Sequence, residues 1–459
     1  MSVALIKTWA GRTAMAAMAV LPLVAWPGLE QPFSTPKLYL LVIIVAALAP
    51  FAWMAWRSRS RAMRSSAAPA MQGTPAASAA VPATARMLAM STHTAAALWL
   101  VSWTWSALFA DVVSLDALLL ALAGGGLAIV LTELRLDPAH LAAAHAIGAT
   151  GVAIVAVMQW AGFDPFALAG WVAPLTGASP RLRIYGTLGN PNFVAALLAG
   201  AVPLTVGLIV QSAAESRAAS RAASGKQLPA GPVAGLAALA LQLLAIAATG
   251  SRGGALGLIA AGLTWILSGP TNYRRRVALA CGLAALVVIG VSNARPLRET
   301  LAGRIYIWQV VWPHAFEAPW VGQGPGAFAL LYPSWEREAR RRPPTAAAAR
   351  YFGGPQQHAH NDYLEALVER GLAGPVTLLL VLTTCVGGGR RASRQSGPGP
   401  AGATSVPSAG TGPLTIGAAA ALAALGAVAF VDFPLARPAE TALWWSCAAL
   451  LGTARERDP

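Results

Sequence analysis

The sequence predicts an all-α polytopic membrane protein with about 12 transmembrane helices and a large outer-face loop carrying short helices. Three observations carry that prediction. The 459 residues are 56% hydrophobic and 11% charged, against about 45–50% and about 25% in a soluble globular domain. Mean hydropathy is +0.57, so water is a poor solvent for most of the surface this chain must expose. The arginines fall in short runs between apolar stretches, which is how topology signals are placed. The net charge of +15 raises nucleic acid as a partner, but the basic residues form no single binding face, so none is expected.

Apolar stretches long enough to serve as spans lie near 9–26, 38–56, 93–110, 115–132, 139–160, 189–210, 232–249, 253–268, 276–293, 371–388, 413–433 and 441–453. A hydrocarbon core of about 30 Å takes about 20 such residues, and 253–268 and 441–453 are the shortest. Helical periodicity adds little, because helices inside a membrane are apolar on all sides. The first stretch is followed by further spans rather than by a mature domain, which argues against a cleavable signal. Cys281, Cys385 and Cys447 all lie in apolar segments and suit core filling, not a disulfide frame or a metal site.

Orientation follows from four basic loops. Arg57, Arg59, Arg61 and Arg64 follow the second span, and Arg217, Arg221 and Lys226 the sixth. Arg274, Arg275 and Arg276 follow the eighth, and Arg390, Arg391 and Arg394 the tenth. All four fall on one side if both termini are cytoplasmic, as the positive-inside rule requires. The expected organisation is therefore spans one to nine in 1–293 with cytoplasmic linkers near 57–90 and 211–231, an outer loop over 294–370, and the last three spans in 371–459 with a linker at 389–412. The linkers at 57–90 and 389–412 are rich in small and polar residues and cannot bury a core. The outer loop carries Arg295, Arg298, Arg304, Arg337 and Arg340–Arg342. Long loops translocate regardless of charge, so this run points to an anionic ligand.

Four motifs lie on the outer side. In Thr249-Gly250-Ser251-Arg252-Gly253-Gly254 the arginine either snorkels to headgroups or clamps a phosphate, with small neighbours that admit a diphosphate to the backbone amides. Gly303-Arg304-Ile305-Tyr306-Ile307-Trp308 reads as a short helix lying along the membrane surface with Arg304 at headgroup depth. In Gln357-His358-Ala359-His360-Asn361-Asp362 and the residues that follow, 361–370 reads as a helix capped by Asn361 or Asp362 and stopped by Gly371. His360 then stands at a helix amino terminus, where the dipole opposes protonation and a neutral imidazole can act as general base. A cap alone, or metal binding through His358, His360 and Asp362, is open on the same residues. Glu365 and Glu369 lie one turn apart behind His360, and one of them is expected to pair with an arginine or to orient the site. The fourth motif runs from Arg181-Leu182-Arg183 to Asn190-Pro191-Asn192, a turn signal whose amides can also meet sugar hydroxyls.

In this order, GTLGNPN, TGSRGG, GRIYIW and HAHNDYLEALVERGLAG resemble motifs of the O-antigen ligase and polymerase superfamily. The family pattern of His-Asn, nine residues and Gly-x-x-Gly is matched by His360-Asn361, Gly371 and Gly374. The motifs cover about 181–374, and the first 180 residues match only in hydropathy. The resemblance implies a transferase that moves a glycan from an undecaprenyl diphosphate donor to an acceptor such as lipid A core, another glycan or a protein. It implies neither metal nor cofactor, and the membrane lipids are the remaining partners. By position, Arg252 and Arg304 correspond to arginines that hold the donor diphosphate and His360 to the essential histidine. His358, Asn361, Glu365, Glu369, Arg183, Asn190 and Asn192 are supporting candidates. A polysaccharide polymerase, a protein O-oligosaccharyltransferase, a polyprenyl-glycan transporter and a metal-dependent hydrolase are the alternatives.

Overall fold

A computed structural model describes residues 3–67, 91–171, 184–222, 230–268, 282, 297–341, 356–383 and 412–456. Among them every regular element is helical. The helices are α1 (Val3–Val20), α2 (Thr35–Ala67), α3 (Thr92–Phe109), α4 (Leu115–Leu134), α5 (Pro138–Trp160), α6 (Pro191–Ala222) and α7 (Ala230–Thr249). They continue as α8 (Arg252–Ser268), α9 (Leu297–Val311), α10 (Ala327–Arg341), α11 (Asp362–Arg370), α12 (Ala373–Thr383), α13 (Gly412–Val428) and α14 (Pro438–Glu456). Polar caps and prolines set the starts: Ser91, Ser114 and Asp137 each accept a backbone N–H from the first turn they precede, and Pro138 and Pro191 occupy first helical positions.

Five of the described helices are long and apolar enough to cross a membrane: Thr35–Arg61, Leu115–Leu134, Pro138–Trp160, Pro191–Arg217 and Pro232–Thr249. α8, α12 and α13 are apolar but shorter. The stretch at 276–293 lies, but for residue 282, outside the described residues, as do 68–90 and 384–411. Two linker boundaries shift. α2 runs on to Ala67 and α6 to Ala222, because Ala, Ser and Arg sustain helix beyond the apolar window.

α13 packs against α6, α8 and α14. Small residues permit the approach, as between membrane helices generally. A Cβ on Gly417 would lie 2.7 Å from the Pro203 carbonyl oxygen, and one on Gly207 2.9 Å from that of Pro413. Gly417→Leu is therefore expected to destabilise the bundle by about 1–3 kcal/mol. A lower melting temperature of the purified protein in detergent checks it, and an unchanged one refutes this close contact.

The two ends of the bundle differ. At one, the Arg59 guanidinium pairs with Glu133, and His93 Nε2 lies 2.8 Å from the same carboxylate. The other gathers the α1–α2 connection, the α3–α4 turn, residues 184–190, the α7–α8 turn and residues 429–437. Buried Lys37 ties part of it together, donating to the carbonyls of Val24, Phe33 and Thr187.

Helices α9, α10 and α11 form a lobe on that second end, with its own core of Tyr306, Ile307, Val310, Phe328, Tyr332 and Leu364. The helix through Arg304 is formed; Tyr306, Ile307, Val310 and Val311 on one face close the lobe core with α10 and α11, while Ile305 and Trp312 stay exposed. Backbone hydrogen bonds seat the lobe: Ser114 N–H on the Pro325 carbonyl at 2.7 Å, and Asp362 N–H on that of Ala429 at 2.9 Å. Gly371 takes a φ of +61°, and a Cβ there would meet the Pro319 oxygen at 2.3 Å. Only glycine fits that position.

Candidate functional site

The site is built around the end of α13. A Cβ on Gly253 would stand 3.8 Å from Val431 and 3.9 Å from Val428. Asp362 at the head of α11 bonds to Ala429, and His360 Nδ1 lies 3.7 Å from an Asp432 oxygen. The motifs around Arg252 and His360, about a hundred positions apart in sequence, thus touch one five-residue segment, 428–432.

Arg252 opens α8, and Ser251 caps that helix by accepting the Gly254 N–H at 3.4 Å. A helix amino terminus with an arginine at its first position favours an anion. The neighbouring glycines divide their work. A Cβ on Gly254 would lie 2.8 Å from that of Ala195, so this residue lets α8 approach α6 and leaves its amide engaged. Gly253 alone has room around it. Arg304 projects from α9 into the same region. Burial lowers its guanidinium pKa, the Asp432 carboxylate raises it and the Arg252 guanidinium lowers it again. Arg304 therefore feels both the Arg252 guanidinium and the Asp432 carboxylate.

His360 has a φ of +51°, a left-handed conformation that is uncommon outside glycine. Its ring meets Phe433 edge-on at 5.1 Å. Asp432 is buried. Burial pushes its carboxyl upward, but the His360 imidazole and the Arg437 and Arg304 guanidinium groups outweigh that and leave a pKa of about 2. A carboxylate depressed below its unfolded value stabilises the fold above pH 4, and the contribution fades as pH falls towards 2. The shift corresponds to about 2 kcal/mol. Asp432→Asn is expected to flatten the loss of thermal stability between pH 4 and pH 2; an identical slope in variant and wild type would remove this role.

His358 turns the other way. Its ring stacks on Phe433 at 4.1 Å, and Nδ1 lies 2.8 Å from Glu365. The second Glu365 oxygen accepts the Ala359 N–H at 2.7 Å, and the Ala359 carbonyl accepts Trp308 Nε1–H at 2.9 Å. Glu365 thereby sets the path of the loop that presents both histidines. Asn361 caps α11, accepting the N–H groups of Tyr363 and Leu364 at 3.0 Å each. Asp362 accepts the Leu435 N–H at 3.0 Å, and burial holds its carboxyl well above the usual range. His358, His360 and Asp362 thus face separate partners, and no described group of three His, Cys, Asp or Glu is arranged to hold a metal ion.

Glu369 is buried beside Arg370, and burial pushes its carboxyl up to about 8. Arg370 sits over Trp99 and Trp103, 4.5 Å from each ring centre. Asn190 caps α6 by accepting the Asn192 N–H at 2.9 Å. That turn reaches the site through Phe193, whose ring lies 5.4 Å from Phe433 and 3.8 Å from the Arg437 guanidinium. Arg183 lies outside the described residues.

The sequence reading missed Asp432, Phe433 and Arg437. One signal was available: an acidic residue at the end of an otherwise apolar helix is costly and marks function by default. Phe433 carried no signal, since aromatic residues are common at span ends.

A helical membrane protein with a charged, half-buried site at one end of its bundle is the class these features define. Residues 237–379 match the family model for O-antigen ligase. This segment, about a third of the chain, is what is similar to O-antigen ligases. The matched segment contains Arg252, Arg304, His358, His360, Asn361, Glu365 and Glu369, whereas Asn190, Asn192, Asp432 and Arg437 lie outside it. No curated protein matches the chain.

Proposed function

We propose that this protein transfers a glycan from an undecaprenyl diphosphate donor to an acceptor hydroxyl at the outer face of the bacterial inner membrane, with both termini cytoplasmic. The observation that carries the reading is the meeting of Arg252, Arg304 and His360 around residues 428–432. Arg252 and Arg304 hold the donor diphosphate. His360 Nε2 takes the acceptor proton while Nδ1 faces Asp432, which orients the ring.

The acceptor oxygen bonds to the anomeric carbon as the bond from that carbon to the diphosphate oxygen breaks. The electron pair leaves with the diphosphate, and the hydroxyl proton goes to His360. A diphosphate departs as a stable anion, so the leaving group needs cationic stabilisation and no general acid. Inversion at the anomeric carbon follows from a single displacement. Positive-inside counting supports the orientation, as does the gathering of the lobe and the α7–α8 turn at one end. A polymerase or a protein-targeting transferase would use the same donor chemistry, so the acceptor decides among them. A transporter is less favoured, because the charged residues named here lie at the two ends of the bundle and not along mid-span positions among the described residues.

The test is reconstitution in liposomes with polyprenyl diphosphate-linked glycan and lipid A core. Release of polyprenyl diphosphate together with a glycosylated core is the expected result; no release, or release independent of any acceptor, would overturn it. Mass spectrometry of glycoconjugates from a deletion strain then separates the acceptors. Bare lipid A core, shortened polymer or unmodified protein would each select one.

A further inference from the structure

Behind the histidine loop lies a cavity of about 270 Å³, bounded by the start of α2, by α3, the first turns of α4, α11 and residues 435–441. Its volume lies just below the range of ligand pockets, about 300–1,000 Å³, which suits a single ring. Arg252, Arg304 and His360 do not line it, but His358 does. We infer that this cavity binds the terminal sugar of the acceptor, a neutral polyhydroxylated ring.

Three observations point there. First, the wall carries the carboxyl groups of Asp116, Asp362, Glu365 and Glu369; burial favours the neutral form of Asp362 and Glu369, so the lining offers hydrogen-bonding groups to hydroxyls and little to hold a phosphate. Its one guanidinium, that of Arg370, is held over Trp99 and Trp103 and donates to Ser102 at 3.4 Å. Second, the wall is amphiphilic. Leu38, Leu120 and Leu378 face the same space as Gln357 and Asp116, which suits a ring with apolar C–H faces and polar edges. Trp103 is 8% exposed and lines the cavity, and its Nε1–H has no hydrogen-bond partner among the described residues. A buried donor of that kind is costly without a ligand oxygen to receive it. Third, one wall residue of the cavity shares a neighbour with the proposed reaction centre. His358 on its wall and His360 beside the arginines pack on the same Phe433 ring, at 4.1 and 5.1 Å. A sugar held in the cavity presents its next hydroxyl past Phe433 to His360.

The inference rests on the proposed transfer reaction for the word acceptor but not for the site itself, and the experiment separates the two. The probes are inorganic diphosphate and the neutral oligosaccharide fraction released by mild acid from envelope glycoconjugates of the producing cell. Both are read by saturation-transfer NMR on the purified full-length protein. Ala329→Trp places a large ring at the exposed edge of the cavity, and Asp116→Asn removes one exposed carboxylate from its wall while keeping its size. Each variant is expected to weaken oligosaccharide binding at least ten-fold and leave diphosphate binding unchanged. Arg304→Ala should do the reverse. Unchanged oligosaccharide binding in both cavity variants, no binding by wild type, or loss of diphosphate in step with oligosaccharide would overturn the cavity assignment. Full diphosphate binding by Arg304→Ala would instead overturn the donor site and leave the cavity standing.

Discussion

Arg304→Ala is expected to lower glycan transfer by about 10²–10³-fold in kcat, the usual cost of deleting one group that stabilises developing negative charge. Arg304 is the arginine to choose because its charge is built at a cost. It is partly buried, with Arg252 close enough to oppose it and only Asp432 to compensate. Two guanidinium groups that oppose each other form a site that a diphosphate relieves. The loss should appear in kcat as well as in the donor KM, because charge on the leaving oxygens grows as the bond to carbon breaks. Arg304→Lys should recover only part of the rate, since an ammonium cannot reproduce the two-pronged geometry. Reconstituted transfer with purified variants measures both. A variant with an unchanged rate would remove Arg304 from the donor site.

His360→Ala is expected to reduce transfer by about 10²–10⁴-fold, the range for removal of a positioned general base. The conformation of the residue strengthens this expectation. A φ of +51° at a non-glycine position costs on the order of 1–3 kcal/mol, and no contact within the cap requires a histidine there, because Asn361 performs the capping. His360→Gly should consequently be more stable than His360→Ala, since both lose the contact with Asp432 but glycine relieves the left-handed conformation, while losing transfer to the same extent. Melting curves and transfer rates from the same preparations separate a chemical role from a structural one. Near-normal transfer by either variant would end the general-base assignment. Asp432→Asn should fall between them and the wild type, as expected of a group that acts through His360, with the pH profile of kcat displaced.

The helix that follows His360 was legible because its signals are local. Asn361 supplies a short side chain that reaches the N–H groups two and three residues on, and Gly371 takes a backbone conformation that other residues avoid. The start of α8 at Arg252 and the turn at Asn190 were legible for the same reason. The helix through Arg304 was legible too, but not that one of its faces packs in the lobe core, since an apolar segment does not state what will cover it. The roles of His358 and His360 were not separable along the chain. Two residues apart in sequence, they point to Glu365 and to Asp432 because the loop turns through a left-handed residue between Ala359 and Asn361.

Composition and the placement of arginines by themselves determined that this chain is helical and belongs in a bilayer, because a solvent without hydrogen-bonding capacity leaves few other ways to satisfy the backbone. Local caps and glycines determined where several helices begin and stop. Only the tertiary structure decided which charged groups share a site. Asp432 lies some seventy residues beyond His360 and Arg252 more than a hundred before it, and nothing in their spacing records that the end of α13 is wedged between them. That proximity comes from close packing of α13 against α6 and α8 through small residues, an arrangement set by contacts summed over whole helices.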